Sequence, residues 1–420
     1  MIYWAQFLHF YQPPTQSASI LKKICEESYR PLIKVFEEHP HARASININA
    51  VLTEMLADCG HQDIIDGLRR LADQGQFEFT GSGMYHPILP LIPREDISRQ
   101  INLNAQTNQR YLGKVYQPLG FFPPEMGYSP DILPAITQSG YKWVILSGVA
   151  CPVEWPMDII HEVHYGGKTV KVLFRDDILS NRISFRDFGA KEFIEHLRNW
   201  GHGRENTYVV TAMDAETYGH HIQEWETIFL SRVFRELKNN GNQTEAVTNG
   251  LSSGAVGEIK IVTISELCEL MPVGRIIAPK TSSWSTTADD LKAGNPFPLW
   301  QDKNNEVHRL QWEHLNICIE LVNNAERYAD NDESRNFAAH ARRLLDRAEY
   351  SCQMWWASKR PMWDVNLIHL GMLAQLRVIL NAYRAIYRSG AEEKTKRDFY
   401  YRTVAARDIR NKLEDRLLMQ

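Results

Sequence analysis

Two segments of this 420-residue sequence carry the carboxylates best placed to do chemistry. The first, FFPPEMGYSP, brings Glu125 directly after an apolar run, and a Ser-Pro helix start follows it. The second, VVTAMDAETYGHH, brings Asp214 and Glu216 two positions apart, so both project to one side of an extended chain. Two carboxylates on different strands can cleave a glycosidic bond, because one attacks the anomeric carbon while the other protonates the leaving oxygen.

Two further clusters combine histidine with other hydrogen-bonding groups. LHFYQPP contains His9, and GQFEFTGSGMYHPILP contains Glu78 and His86 beside a glycine-rich turn. The GSG of that turn is not a dinucleotide-binding fingerprint, because the third glycine and the later acid are missing. HExxH and Walker-type phosphate loops do not occur in the sequence. Each of these two clusters, taken alone, is more often structural than functional.

Composition narrows the classes of function. The formal net charge is −4 with basic and acidic residues interspersed, so no basic face for nucleic acid is indicated. None of the six cysteines forms a CxxC pair, which leaves zinc-ribbon and thioredoxin-type sites without support. The 11 Trp, 17 Tyr, 16 Phe and 15 His are plentiful for this length, and sugar-binding clefts use aromatic faces together with polar groups.

The elements that must position these residues alternate between short apolar strands and helical patterns over residues 1–277. This alternation predicts a parallel sheet with crossover helices, and seven or eight such units favour a closed barrel. Gly166-Gly167 predicts a hairpin turn, and the polar stretch 239–258 predicts a loop. The predicted strands are Ile2–His9, Ala44–Ala50, Phe77–Thr80, Leu119–Pro123, Trp143–Ser147, Val170–Arg175, Tyr208–Met213 and Ile259–Ile264.

The chain changes character after residue 302. Residues 303–420 show apolar positions at helical spacing and predict four long helices, while the proline-containing segment 278–302 connects the two regions. The first residues carry no charged n-region or cleavage site, and no run of about 18 apolar residues is seen. We therefore expect a cytoplasmic protein that does not act at a membrane.

In order along the chain, these clusters resemble the motifs of glycoside hydrolase family 57. His9-Phe10-Tyr11-Gln12-Pro13 looks like the first motif, although Tyr11 stands where many members have a second histidine. The second motif resembles Gly75–Glu78 together with His86–Pro90. The third resembles Pro124–Ser129, and the fourth resembles Asp214–Gly219. Phe174–Ser180, with Ile183-Ser184-Phe185 after it, resembles a loop of the amylase-like members. Ala348–Trp356 resembles the fifth motif, with Ser-Cys-Gln where that motif often has an acid.

The resemblance implies an α/β fold, an incomplete (β/α)7 barrel followed by a C-terminal helical bundle that closes one side of the cleft. It implies that Glu125 is the nucleophile, that Asp214 is the general acid/base and that no metal or organic cofactor takes part. An oligo- or polysaccharide is the expected partner. Residues expected to hold sugar hydroxyls are His9, Glu78, His86, Arg175 and Glu216, and those expected to stack against sugar rings are Trp284, Trp355 and Trp356.

Several activities fit this resemblance. Hydrolysis of α-1,4-linked glucans is favoured, because the chain lacks the large additional domains of many family transferases. Glucanotransferase or branching-type transglycosylation shares the same covalent intermediate, and an α-galactosidase could use the same scaffold. A non-catalytic carbohydrate-binding relative is a further alternative. A metal-dependent deacetylase on a related barrel is disfavoured, because the sequence contains no HxxxH.

Overall fold

The computed structural model describes residues 1–200, 204–244 and 258–419. The chain forms two compact units, of which the first comprises Met1–Met84 and Pro93–Trp284, and the second comprises Tyr85–Ile92 and Ser285–Gln420. The division after Trp284 falls inside the predicted connecting segment. Of the predicted loop 239–258, the residues up to Thr244 end a helix, and 245–257 lie outside the described residues.

Seven parallel strands of the first unit build the sheet that carries the candidate site. They pair in the order β8-β1-β2-β3-β4-β5-β7, and β9 lies parallel to β1 beside them. At the open edge between β7 and β8, the Asp176 amide donates to the Val210 carbonyl at 2.8 Å. The predicted fold, an incomplete seven-stranded barrel with helices after it, is thus confirmed. The strands are β1 (Ile2–Phe10), β2 (Ala44–Ile48), β3 (Phe77–Gly81), β4 (Gly120–Phe121), β5 (Trp143–Ser147), β6 (Ile160–Tyr165), β7 (Lys168–Arg175), β8 (Thr207–Asp214), β9 (Ile259–Val262) and β10 (Val273–Ile276).

Helices cover the outer face of this sheet and form most of the second unit. The first unit contains α1 (Ala18–Ile24), α2 (Arg30–Glu38), α3 (Ala50–Asp58), α4 (Gln62–Asp73), α5 (Arg94–Leu112), α6 (Leu133–Gln138), α7 (Asp177–Ser184), α8 (Ala190–Arg198), α9 (Arg232–Thr244) and α10 (Ile264–Leu270). The second contains α11 (Ala288–Lys292), α12 (Glu306–Tyr328), α13 (Asp332–Ala348), α14 (Cys352–Trp355), α15 (Val365–Arg388) and α16 (Glu393–Leu418). The four long helices of the second unit, α12, α13, α15 and α16, confirm the predicted bundle.

Successive residues of the strands alternate between two apolar cores, because strand side chains point to opposite faces. In β1, Trp4 and Leu8 pack outward against the helices, whereas Ala5 and Phe7 face the barrel interior. The same period places His9 on the inner face at the carboxyl end of β1. In β8 it places Asp214 on the inner face as well. The burial of both strand faces explains why these strands are almost continuously apolar.

Helix α10 fills the amino end of the barrel. Its first residues meet inward-facing side chains at the starts of β2 and β5, since the Ile264 amide donates to Ser45 Oγ at 2.8 Å and Trp143 Nε1 donates to Ser265 Oγ at 2.9 Å. Leu267 of α10 belongs to the interior core. The carboxyl ends of the strands are therefore the accessible rim of the barrel interior, where barrel enzymes place their catalytic groups.

The glycine pair predicted to form a hairpin does so. Gly166 and Gly167 have φ of 57° and 79° between β6 and β7, which pair antiparallel. Both torsion angles lie in the left-handed region that glycine tolerates, as a two-residue type I′ turn requires. This hairpin is the one antiparallel pair among the described strands.

Helix α15 of the second unit passes a simple composition test for a membrane-spanning helix. Its residues Val365–Arg388 are long and apolar enough, by length and composition, to cross a membrane, with a mean hydropathy of 1.3 over its best window. The core helix of a folded bundle passes the same test, and Ile368, Met372, Val378 and Ile379 are buried in this unit. We read α15 as the central helix of the bundle.

Candidate active site

Glu125 lies in a tight turn that directly follows β4. The turn spans Pro124–Met126, and Glu125 and Met126 have positive φ values of 58° and 50°. Left-handed backbone at a non-glycine residue costs about 1–3 kcal/mol, and such strain persists where the surroundings fix the chain. The backbone here is thus held in an unfavourable conformation that presents Glu125 at the rim of the barrel.

The segment Ser282–Trp284 supplies the contacts that hold this turn. Ser282 and Tyr128 exchange two backbone hydrogen bonds of 2.8 and 3.1 Å, and the Trp284 amide donates to the Glu125 carbonyl at 3.0 Å. The Trp284 indole Nε1 donates to Glu125 Oε2 at 2.8 Å. Trp284 therefore orients both the backbone and the carboxylate of Glu125. Its expected stacking against a sugar stays a prediction.

His9 connects this turn to Asp214. The two residues are register partners on the paired strands β1 and β8. The His9 ring lies 5.9 Å from the Trp284 ring, measured between centroids, and Nδ1 of His9 is 2.8 Å from Asn47 Oδ1. Burial lowers the pKa of His9 to about 3, so the ring is neutral. Because an amide oxygen accepts, Nδ1 is the donor and Nε2 is the acceptor nitrogen of His9.

Asp214 and Glu216 form a coupled pair of carboxylates. Burial, opposed by the positive charge of Arg175, raises the pKa of Asp214 to about 6. Burial and the negative charge of Asp214 raise the pKa of Glu216 to about 8. Between these two values the pair holds one proton. Asp214 can therefore exist in both protonation states near neutral pH, as a general acid that later acts as a base must.

Two donors hold the Glu216 carboxylate. Gln12 Nε2 donates to Glu216 Oε1 at 2.9 Å, and the Tyr29 hydroxyl donates to the same oxygen. Glu216 itself is 3% exposed, so little of its surface is open to a ligand. Its expected role in binding sugar hydroxyls stays a prediction. Its hydrogen bond with Tyr29 connects the candidate site to the segment that precedes α2.

That segment is a π-helical turn, Cys25–Tyr29, which braces the loop after β8. Ser28 Oγ donates to the Ala215 carbonyl at 3.1 Å, and Glu27 Oε2 lies 2.7 Å from Nδ1 of His220. A π-turn inserts one extra residue in a helix and is frequent at functional sites. Here the π-turn places three consecutive side chains, those of residues 27–29, in hydrogen-bonding contact with residues 215–220.

Gly219 is the point of closest approach between this π-turn and the loop. It has φ of 106°, and a Cβ added there would overlap the carbonyl oxygen of Glu27. We expect Gly219→Ala to destabilise the first unit by about 2 kcal/mol or more, since backbone strain and overpacking act together. Thermal unfolding measured by calorimetry would show the loss.

Gly166→Ala is the matched control for Gly219→Ala. Gly166 also has a left-handed φ, 57°, but a Cβ there would meet no atom within 4 Å. Its substitution tests the backbone cost alone, about 1 kcal/mol. Equal losses of stability in the two variants would contradict the role assigned to the contact of Gly219 with Glu27.

Arg175 lies beside Asp214, but its donors are used by the protein. Nε donates to the Ala212 carbonyl at 2.7 Å, Nη1 to Asp177 Oδ1 at 2.8 Å and Nη2 to Asn181 Oδ1 at 2.8 Å. Arg175 is 5% exposed. The structure thus shows a buried cation that positions the end of β8 and moderates the pKa of Asp214. Its expected contact with sugar hydroxyls stays a prediction.

Glu78 is the expected site residue that the structure places elsewhere. It faces the barrel interior at the start of β3, level with Ser45 of β2. Its Oε1 accepts hydrogen bonds from Ser45 Oγ at 2.5 Å and from the Ser265 amide at 3.0 Å. Burial raises the pKa of Glu78, while these donors oppose that shift. Glu78 therefore binds the first turn of α10 at the amino end, opposite the rim that carries Glu125 and Asp214.

The remaining expected residues belong to the second unit. His86 has a φ of 59°, and its Nδ1 lies 2.9 Å from Ser351 Oγ. Trp355 is half-buried at the edge of that unit's core. Trp356 is 5% exposed and packs edge-on against Tyr350 with ring centroids 5.7 Å apart. Trp356 is thus a residue of that unit's core, and its expected stacking against a sugar stays a prediction.

Gln12, Tyr29 and Asn47 are residues of the site that no pattern in the sequence singles out. Gln12 was visible in the LHFYQPP cluster but had no distinguishing spacing. Asn47 lies on the inward-facing side of β2. Its contact with His9 depends on the register between β1 and β2, which the sequence does not show. Tyr29 had no signal, because the extra residue of the π-turn breaks the helical spacing there.

The fold and the rim residues place this chain among barrel proteins that carry acidic side chains at the carboxyl ends of their strands. It belongs to glycosyl hydrolase family 57, whose family model matches residues 5–272. The expected family resemblance is thereby confirmed.

Curated relatives and a solved structure agree with this membership. An alpha-amylase of Pyrococcus horikoshii is 30% identical over 303 residues, which are 68% of this chain and 44% of that protein. A 4-alpha-glucanotransferase of Thermococcus litoralis is 25% identical over 299 residues, 68% of this chain and 42% of that protein. The chain thus spans less than half the length of these relatives. A GH57-type branching enzyme of Pyrococcus horikoshii shares the fold, with a TM-score of 0.69, 15% identity and coverage of 95% of this chain and 94% of that one.

Proposed function

We propose that this chain is a retaining α-glucan-active enzyme that cleaves α-1,4 linkages, with Glu125 as nucleophile and Asp214 as general acid/base. The observation that carries the proposal is the contact path at the rim, in which Glu125 binds Trp284, the Trp284 ring borders His9, and His9 is the register partner of Asp214. Glu125 thus contacts one ring of this pair, and Asp214 is the strand neighbour of the residue that carries the other. The relatives named alpha-amylase and 4-alpha-glucanotransferase support α-glucans as the substrate class.

The chemistry follows from the two environments. Glu125 attacks the anomeric carbon while protonated Asp214 gives its proton to the leaving oxygen. Asp214 then removes a proton from water or from an acceptor hydroxyl, which releases the sugar from Glu125 with its configuration retained. The raised pKa of Asp214 suits both steps, because the group must carry a proton first and accept one later.

Hydrolysis and transglycosylation differ only in the acceptor, so the product lengths distinguish them. Purified protein would be incubated with maltoheptaose and, separately, with a panel of aryl α-glycosides, and the products separated by chain length. Shorter maltooligosaccharides alone are the result expected for the amylase-type activity that we favour. Products both shorter and longer than maltoheptaose would instead establish a glucanotransferase. Release from the α-galactoside alone would change the sugar, and inertness on every substrate would reject the proposal.

The coupling between Asp214 and Glu216 predicts a pH effect. In Glu216→Gln, the basic limb of the kcat/KM profile for 4-nitrophenyl α-maltoside is expected to move toward lower pH. In the unaltered enzyme, Asp214 and Glu216 together keep one proton up to about pH 8, and Asp214 carries it part of the time. An amide cannot ionise, so Asp214 alone then titrates, and the pKa of about 6 at Asp214 sets the basic limb.

Glu224→Gln serves as the control for this pH profile, since Glu224 is an exposed carboxylate on the same loop. Its profile should coincide with that of the unaltered enzyme. A basic limb at the same pH in Glu216→Gln and in the unaltered enzyme would show that the two carboxylates do not share a proton.

A further inference from the structure

A second concave site lies in the first unit, outside the group of residues at the rim. It is a cavity of about 410 Å³ between the end of β5, the start of α7 and the helix α8. Its volume falls within the range of small-molecule sites. The residues that line it are Gly148, Trp155, Asp176, Asp177, Ile178, Leu179, Arg182, Phe188, His196 and Trp200.

Four of the ten lining residues carry aromatic rings. Trp155, Phe188 and Trp200 come from three different segments, and the His196 ring lies 5.7 Å from both the Phe188 and the Trp200 rings, measured between centroids. Flat aromatic faces match the apolar faces of pyranose rings, and they bind at little cost in conformational entropy. A wall of this kind suits a ring-shaped ligand.

Hydrogen-bonding capacity is present beside the rings. The Arg182 guanidinium lies over the Phe188 ring, 3.3 Å from its centroid. Within the described ranges, the Arg182 guanidinium and the His196 ring contact aromatic rings and form no hydrogen bond to another residue. Asp176 accepts the Leu179 amide with Oδ1 at 2.8 Å, and its carboxylate has further acceptor capacity. Burial lowers the pKa of His196, which favours a neutral ring with one donor and one acceptor.

The balance of charge narrows the ligand class. Arg182 supplies one positive charge, and Asp176 and Asp177 lie against the same cavity. The two carboxylates disfavour an anion such as a phosphate. A purely apolar ligand would leave Arg182 and His196 desolvated without partners, which is costly. A neutral polyhydroxylated ring satisfies the aromatic faces, the donors and the acceptors together.

We propose that this cavity is a carbohydrate-binding site, separate from the catalytic carboxylates, that holds a short segment of an α-glucan chain. The inference rests on the proposed function for the identity of the sugar. Asp177 lies between the cavity and the catalytic rim. It lines the cavity, and its Oδ1 accepts a hydrogen bond from Nη1 of Arg175, the cation beside Asp214. Glucan bound there would lie close to the catalytic rim without occupying it.

Hydrogen exchange measured by mass spectrometry on the full chain locates binding by segment. The Glu125→Gln protein would be compared with and without maltotriose. We expect slower exchange in residues 177–200, in addition to slower exchange in residues 120–128 and 214–221 at the rim. Trp155→Ala and His196→Ala, each in the same background, should lose the protection of residues 177–200, with affinity there weakened about tenfold or more. Both should keep the protection at the rim.

Tyr165→Ala is the matched control, since Tyr165 is an exposed aromatic on the β6–β7 hairpin away from the cavity lining. It should keep protection in both places. Trp155 and His196 are half-buried on different segments, so one variant carries the test if the other does not fold.

The outcomes separate the two proposals. Protection at the rim alone would overturn the inference and leave the proposed function standing. Protection of residues 177–200 that survives both Trp155→Ala and His196→Ala would also overturn it. No protection anywhere, together with no turnover of maltoheptaose by the unaltered enzyme, would overturn both proposals. Protection of residues 177–200 that both variants abolish would support the second site.

Discussion

Glu125→Gln is expected to lower kcat for an α-glucan by about 10³-fold or more, because it removes the nucleophile and a whole step of the reaction. The amide keeps the size of the carboxylate and an oxygen that can accept from Trp284 Nε1. The turn that presents residue 125 and the binding of maltooligosaccharide should therefore persist. Steady-state kinetics on maltoheptaose, with binding measured by calorimetry, would check both parts.

Asp131→Asn is the control for this large effect. Asp131 is another acid close in sequence, it is 65% exposed, and its partner is Arg94 on the surface. Exposed ion pairs of this kind contribute little, so the variant should keep full activity. Turnover of Glu125→Gln near that of the unaltered enzyme would remove Glu125 from the mechanism, and equal losses in both variants would point to the fold rather than to chemistry.

Asp214→Ala is expected to lose activity by about 10²- to 10⁴-fold on maltoheptaose, the range associated with general acid–base catalysis. The loss should depend on the leaving group. 4-Nitrophenolate leaves without a proton, so the first step on 4-nitrophenyl α-maltoside should be spared and the glycosyl-enzyme should accumulate. A burst of nitrophenol followed by slow turnover is the kinetic result expected.

A small anionic nucleophile distinguishes this role from a structural one. Azide needs no general base, so it should accelerate turnover of Asp214→Ala and give the α-configured glycosyl azide. Azide should not accelerate Glu125→Gln to the same product. An Asp214→Ala protein that is equally slow on both substrates and indifferent to azide would show that Asp214 acts only on the fold.

The sequence predicted the parts of the site that depend on strand period and strand ends. Asp214 follows a strand buried on both faces, and the two-residue period places it on the inner side of the barrel beside His9. Glu125 was recognised because an apolar run leads into it. In both cases a local pattern determines the position, since the carboxyl ends of parallel strands share one rim.

The contacts that long-range packing creates could not be predicted from the sequence. Glu78 is acidic and belongs to a cluster with candidate site residues, but whether it lies at the rim or beside α10 depends on the register of β3 against β2. The π-turn that brings Tyr29 onto Glu216 breaks the helical spacing by which helices are recognised. Trp356 is covered by the core of the second unit, and the sequence does not show which of two adjacent tryptophans is buried.

Peptide mass spectrometry tests most directly whether Glu125 carries the sugar during turnover. Asp214→Ala would be mixed with 4-nitrophenyl α-maltoside, quenched in acid during the burst and digested. We predict that the peptide containing Glu125 gains the mass of one maltosyl group and that fragmentation places the group on Glu125. A burst with an unlabelled Glu125 peptide, or a label on Glu216 or another carboxylate, would contradict the account.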